Sequence, residues 1–387
     1  GELGLNGEIK KVKGVLPIVQ EAAKSGIRRV VVPGENAMEA AVIPGITVWG
    51  VNCLNDLLAA LNHPELETEK VYQPRIRAED LLREGTGQDT GDFREVAGQE
   101  NAKRGAEIAA AGFHNLLMIG PPGVGKSMVA GRIPGILPPL TLKESLEVTG
   151  IFSVAGLLPP GQALITRRPF YAPHHTVTQA ALIGGGSGIP RPGMVSLAHR
   201  GVLFLDELPE FRKNVLDGMR QPMEERKVQI ARSAGMVTYP SDFILVAAMN
   251  PCPCGYYPDR NKCRCTQPQI EKYLGKISGP ILDRIDLCVE LHPVDILHLQ
   301  KTKTEKSSED MKRQIRHARE RQAERFAGTD CRFNGDIRSA QVEEYCPLGE
   351  EGQKVMEQLY RTLQLSARVY HRILKTARTI ADLEDRE

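Results

Sequence analysis

An apolar run, Leu116 to Ile119, leads directly into Gly120-Pro-Pro-Gly-Val-Gly-Lys126-Ser127 and then into residues of helical spacing. This constrains the chain more than any other feature, because it calls for a strand feeding through a tight glycine turn into a helix. Glycines let successive backbone N–H groups point inward, and the helix adds the positive end of its dipole. Such a cradle takes an anion. Lys126 is placed to neutralise β- and γ-phosphate charge and Ser127 to hold Mg²⁺, so the loop implies a nucleoside triphosphate. A glycine-rich turn without a ligand is the competing reading, and the strand-to-helix context weighs against it.

Three further segments extend the pattern. Gly201-Val-Leu-Phe-Leu-Asp206-Glu207 reads as a buried strand ending in two carboxylates, and strand ends of parallel α/β sheets are where ligands bind. Asp206 would complete the Mg²⁺ shell and Glu207 would polarise a water toward the γ-phosphate; without the glycine loop, a solvated acidic turn would be the better reading. The run Phe243 to Met249 is closed by Asn250, an amide suited to orienting the attacking water, although Asn before Pro251 also suits a cap. Downstream, Arg284 lies between Asp283 and Asp286. It is either a surface ion pair of little worth or, in a ring of subunits, an arginine that reaches a neighbour's γ-phosphate.

In this order, and with a late Ser366-Ala-Arg368, the residues resemble the AAA+ ATPases, and within them the magnesium-chelatase-like YifB/ComM family of bacterial proteins, over nearly the whole chain. The most specific motifs are Asp92-Phe-Arg-Glu-Val-Ala-Gly-Gln99, Ala172-Pro-His-His175-Thr, Asn250-Pro-Cys-Pro-Cys254-Gly and Ser366-Ala-Arg-Val-Tyr-His-Arg372. The resemblance implies that Gly120, Pro121, Pro122, Gly123, Val124, Gly125, Lys126 and Ser127 bind ATP and Mg²⁺ together with Asp206. It implies Glu207 as catalytic carboxylate, Asn250 as first sensor, Arg284 as trans-acting finger and Arg368 as second sensor. Val96 to Lys103, including Val96 and Gln99, would contact the adenine side. The expected fold is α/β: a P-loop AAA+ core, a partial Lon-protease-like N-terminal domain and a C-terminal helical lid.

Composition agrees without having produced this reading. At 387 residues there is room for two or three domains, and 41% hydrophobic with 25% charged residues is ordinary for a globular chain. A net charge of +2 argues against a globally basic nucleic-acid binder, although a local basic loop inside a ring escapes that test. No apolar run approaches the roughly 18 residues of a membrane helix and no signal peptide is visible, so a cytoplasmic protein without a membrane partner is expected. The start at Gly1-Glu2-Leu3, without methionine, suggests a fragment.

Residues 1–75 read as their own α/β unit, with helices over Leu16 to Ala23 and Leu54 to Leu61 and a strand at Val30-Val-Val-Pro. They resemble the C-terminal half of a Lon-protease domain. Where such a protease carries its lysine after a glycine, this chain reads Lys13-Gly14-Val15-Leu16-Pro17, so a non-proteolytic domain is expected. Residues 76–92 read as a linker, 93–293 as the ATPase core, 294–335 as a charged linker with a solvated helix, and 336–387 as the lid, with helices over Val355 to Tyr360 and Leu363 to Leu383. An arginine on such a lid, Arg368, would sense nucleotide through domain closure.

Two insertions interrupt the core. Arg167 to Gly193, dense in glycine, is expected to be a mobile loop, with His174 and His175 more suited to loop hydrogen bonds than to metal; by the resemblance it projects toward a ring pore. Val228 to Tyr239 reads as a hairpin with Arg232 near its tip, either touching a phosphate backbone of DNA or simply solvated. Cys252, Cys254, Cys263 and Cys265 form two C-x-C pairs. In a reducing compartment they suggest structural Zn²⁺, a thiol-rich loop without metal being the alternative. The function these features imply is a Mg²⁺-dependent, hexameric AAA+ ATPase acting on single-stranded or branched DNA in natural transformation. Magnesium chelation into a porphyrin and chaperone-like protein remodelling are the alternatives.

Overall fold

The computed structural model describes residues 1–63, 67–85, 91–186, 188, 190–232, 235–294 and 306–386. Near the N-terminus, helix α1 (Val15–Lys24) precedes strands β1 (Arg29–Pro33) and β2 (Thr47–Val51), which pair in parallel, and helix α2 (Leu54–Asn62) follows. Gly14, at a φ of 75°, takes the left-handed conformation that starts α1. Val15 and Leu16, where the Lon-like pattern would carry a lysine, are instead buried with Val19, Val32 and Val48.

The segment expected to be a linker is in part a helix. α3 (Ala78–Glu84) packs Ala78, Leu81 and Leu82 onto this same core, which continues through Leu142, Leu146 and Leu164 of the following domain. The apolar spacing of 78, 81 and 82 outweighs the surrounding charge; residues 86–90 of the expected linker lie outside those described.

The central domain runs through α4 (Glu100–Gly112), β3 (Leu116–Ile119), α5 (Lys126–Ile136), α6 (Leu142–Ala155), β4 (Phe170–Tyr171), α7 (Gln179–Ile183) and β5 (Val202–Leu205). A hairpin of β6 (Lys227–Arg232) and β7 (Gly235–Pro240) precedes β8 (Ile244–Met249), α8 (Gln267–Leu274) and β9 (Leu287–Glu290). The sheet order is β9-β3-β8-β5-β4, and every pairing is parallel. Strand alternation sorts the apolar runs onto two faces. Leu116, Met118, Phe204 and Val246 pack with α4 and α5, whereas Leu117, Leu203, Leu205 and Leu245 pack on the opposite side.

The first insertion is more ordered than its glycines suggest. Buried Leu182 anchors α7, and Gly184–Gly185 pairs antiparallel with Arg191–Pro192; residues 187 and 189 lie outside those described. Tyr239 of β7 donates its hydroxyl to Pro190 O at 2.7 Å, so the two insertions form one protrusion.

The charge-dense helix α9 (Ser308–Arg325) is not a solvated linker. Met311, Ile315 and Ala318 make a narrow stripe buried against α4 and α5. The C-terminal helices α10 (Glu350–Leu363) and α11 (Ala367–Leu383) are separated at Gln364, whose φ is 48°, so the expected run from Leu363 is broken. Buried Thr379 of α11 bonds His114 at 2.7 Å and Asn334 at 3.0 Å, while buried Asp382 pairs with Arg325 and Arg378. These bonds tie α11 to the core. Among the described residues, no helix is long and apolar enough to cross a membrane.

Candidate active site

Parallel strands deliver side chains at their C-terminal ends, and here three of them converge. After β3, Gly123 and Gly125 adopt φ values of 78° and 94°, open to glycine and costly for other residues. Lys126, at the head of α5, donates to Gly120 O at 2.6 Å, Pro121 O at 2.9 Å and Asn250 Oδ1 at 3.0 Å. Burial lowers its pKa, against the opposing pull of Asp206 and Glu207. Asn250, which directly follows β8, therefore faces the phosphate loop rather than capping a turn.

Asp206 and Glu207 directly follow β5. Ser127 donates its hydroxyl to Asp206 Oδ2 at 2.8 Å, and the Glu207 N–H bonds Asp206 Oδ1 at 2.9 Å. Adjacent hydroxyl and carboxylate oxygens are the hard ligands that Mg²⁺ prefers. His175 Nδ1 lies 3.2 Å from Glu207 Oε2, while His174 Nδ1 bonds Thr176 Oγ1 at 2.9 Å. The contact of His175 with Glu207 escaped sequence reasoning. Its signal was membership of the Ala172-Pro-His-His175-Thr motif.

The cleft over the loop is also lined by buried Val96 and by Gln99, Tyr256, Pro258 and His292. Gln99, left-handed at a φ of 56°, donates to Val124 O at 3.2 Å and His292 O at 2.7 Å, joining the loop to the chain beyond β9.

Arg284 and Arg368 do not line that cleft. Both converge on Glu224, the first by a direct hydrogen bond and the second at 3.9 Å, in a separate hollow shared with Lys375 and Arg372. Arg284 pairs with neither flanking acid; Asp286 instead accepts from the Asn115 N–H at 2.8 Å. Arg372 of α11 donates to Leu282 O at 3.2 Å and to Ile285 O, which sets Arg368 beside the Arg284 loop. The bond from Arg284 lowers the Glu224 pKa.

The four clustered thiols of Cys252, Cys254, Cys263 and Cys265 lie within 4.8 Å of one another and can hold a metal ion. Arg232 is exposed at the end of β6 and, among the described residues, donates to Ala231 O at 3.1 Å; the turn beyond it, 233–234, is outside the described residues.

Comparison with known proteins now bears on this geometry. The family model described as magnesium chelatase, subunit ChlI, matches residues 92–299; its C-terminal counterpart matches 305–387, and a further ChlI model matches 1–36. The competence protein ComM of Haemophilus influenzae is 40% identical over 99% of this chain and 73% of its own length. YifB of Escherichia coli is 42% identical over the same shares, 99% and 73%. The chain belongs to the magnesium-chelatase-like family of AAA+ ATPases. A fainter likeness, 26% identity over 53% of the chain, extends to Lon protease 2 of Bacillus subtilis.

In this AAA+ ATPase the structure thus gathers Lys126, Ser127, Asp206, Glu207, Asn250 and His175 into one site, and holds Arg284 and Arg368 together elsewhere. Neither arginine lines the cleft over the phosphate loop of its own chain.

Proposed function

We propose that the protein works in the cytoplasm as a hexameric ring, a Mg²⁺-dependent ATPase that couples hydrolysis to movement on DNA. It would act as a helicase promoting branch migration when incoming strands recombine in natural transformation. The observation that carries the ring is the separation of Arg284 and Arg368 from the phosphate loop. A complete site then needs two subunits, one presenting the cleft and the next its arginine face.

Within that site the chain's own groups have distinct tasks. Lys126 exchanges the carbonyls of Gly120 and Pro121 for phosphate oxygens. Mg²⁺, held by Ser127 and Asp206, would offset phosphate charge. Glu207 accepts the attacking water's proton on its carboxylate, with His175 fixing that carboxylate through Oε2, and Asn250 orients the water. Arg284 of the adjoining subunit leaves Glu224 to meet charge developing on the γ-phosphate. Zn²⁺ is the structural ion in this reading of the cysteine cluster.

Support for DNA comes from the name of the competence protein ComM and from the joined insertions, which expose Arg191 and Arg232 on one protrusion. The test is ATP hydrolysis with and without branched or single-stranded DNA, alongside Glu207→Gln. Strong stimulation that vanishes in the variant supports the motor. Hydrolysis indifferent to every DNA sinks the DNA half, and porphyrin metallation with partner subunits or protein unfolding would replace it.

A further inference from the structure

The cysteine cluster has the dimensions of a closed metal site. Its sulfur separations include 3.4 Å for Cys252–Cys254, 3.6 Å for Cys254–Cys263 and 3.8 Å for Cys252–Cys263. Four sulfurs placed tetrahedrally about 2.3 Å from one cation would stand about 3.8 Å apart, with no position left for substrate. A disulfide would need about 2 Å. Four thiolates around a divalent cation leave two negative charges, and the intervening stretch supplies Arg260, Lys262 and Arg264. Arg260 also ties back to Cys265 O at 3.1 Å.

The stretch that these thiols enclose, Gly255–Lys262, contains turns but neither helix nor strand. Even so, Tyr256, Tyr257, Pro258, Asp259 and Lys262 line the same cleft as the phosphate loop. Gly255, at a φ of 87°, lets this stretch touch that loop: a Cβ there would fall 2.6 Å from Pro122 Cδ. Cys252 follows Asn250 by two residues, so the first ligand also anchors the amide that bonds Lys126.

We propose that a zinc-type cation bound by Cys252, Cys254, Cys263 and Cys265 holds Gly255–Lys262 as one wall of the nucleotide cleft, so that metal occupancy sets nucleotide affinity. Without the cation, turns alone must be ordered each time a nucleotide binds, and that ordering is drawn from binding energy. The proposal rests on reading the cleft as the ATP site, and metal content is measured independently of that reading.

The full chain is purified reduced, its zinc counted by elemental mass spectrometry, and Co²⁺ substituted to display the absorption of a tetrahedral tetrathiolate site. ATP affinity is then measured with a fluorescent analogue on loaded, chelator-depleted and reloaded protein, with far-UV circular dichroism monitoring the fold. One zinc per chain is expected, with Kd weakened at least tenfold on depletion and restored on reloading while the fold persists. Gly255→Ala should keep its zinc and still lose ATP affinity, and Cys288→Ser, outside the cluster, should change neither. Absent metal, unchanged affinity after depletion, or unfolding of the whole chain would each overturn the proposal. Loaded protein that holds zinc but binds no ATP would bring down the cleft reading and this coupling with it, leaving the metal site standing.

Discussion

The phosphate-loop face knits its polar groups to one another, Lys126 to Asn250 and Ser127 to Asp206, whereas the arginine face rests both of its candidate groups on one acid, Glu224. The first set sits on ends of parallel strands and shares the rigidity of a packed sheet. The second sits on a short surface loop and the start of a helix; the Arg284 side chain is only 15% exposed, whereas Arg368 is 63% exposed. Arg368, loosely paired with that carboxylate at the surface, can exchange it for a phosphate at small net cost. One face is therefore preorganised within the subunit, and the other, if the proposed ring forms, is the one a neighbour would use.

The largest expected effect breaks that division if it is wrong. Arg284→Ala should lower kcat of the assembled ring by about 10³–10⁵-fold and leave ATP binding to a subunit unchanged. Mixing it with Lys126→Ala, itself inactive, should recover activity, because some interfaces then pair an intact cleft with an intact arginine. A mixture as dead as either parent would place Arg284 in its own chain's chemistry. Glu207→Gln comes next, with kcat reduced by about 10²–10⁴-fold and nucleotide retained, as removal of a general base requires. Unchanged turnover would transfer the proton-accepting role elsewhere.

How far the sequence discloses this division depends on the distance over which a signal acts. Strands β3, β5 and β8 are continuous apolar runs, followed respectively by the loop that carries Lys126, by Asp206 and by Asn250, so local pattern suffices. His175 meeting Glu207, and Arg368 meeting Arg284 through Arg372, are tertiary juxtapositions with no local counterpart. Helix α9 is intermediate: its stripe of Met311, Ile315 and Ala318 has helical spacing but is diluted by charge on every other face. Glycine density misleads in the opposite direction, since Gly184–Gly185 pairs as a strand beneath Tyr239 rather than forming an unpaired loop.

Acid should weaken the frame that ties α6 to the chain entering β5. A hydrogen bond from His199, reinforced by Arg200, holds Glu147 of α6 at a pKa of about 2, well below its ordinary value of 4.5. Because the folded pKa is depressed, the stabilisation is complete above pH 4.5 and is lost as pH falls from there toward 2. With screening at its exposed edge, the contribution is on the order of 1–2 kcal/mol. Glu147→Gln should flatten acid unfolding over that window, with both faces failing together in the wild type. A variant that unfolds along the parent's acid curve would remove Glu147 from the frame.

The smallest effect concerns the protrusion, which belongs to neither face. Arg232 has no acidic partner among the described residues and lies beside Gly185 of the first insertion, so its charge is free to meet a phosphate backbone. Replacing it by alanine should leave ATP hydrolysis without DNA untouched, because nothing connects it to Lys126 or Glu207. With DNA present, stimulation should weaken alike for every sequence, and the dependence of binding on log salt should fall by about one unit, as expected for one lost phosphate contact. An unaltered salt slope would make Arg232 a solvated hairpin residue and shift the search for the DNA contact to Arg191 on the opposite limb of the same protrusion.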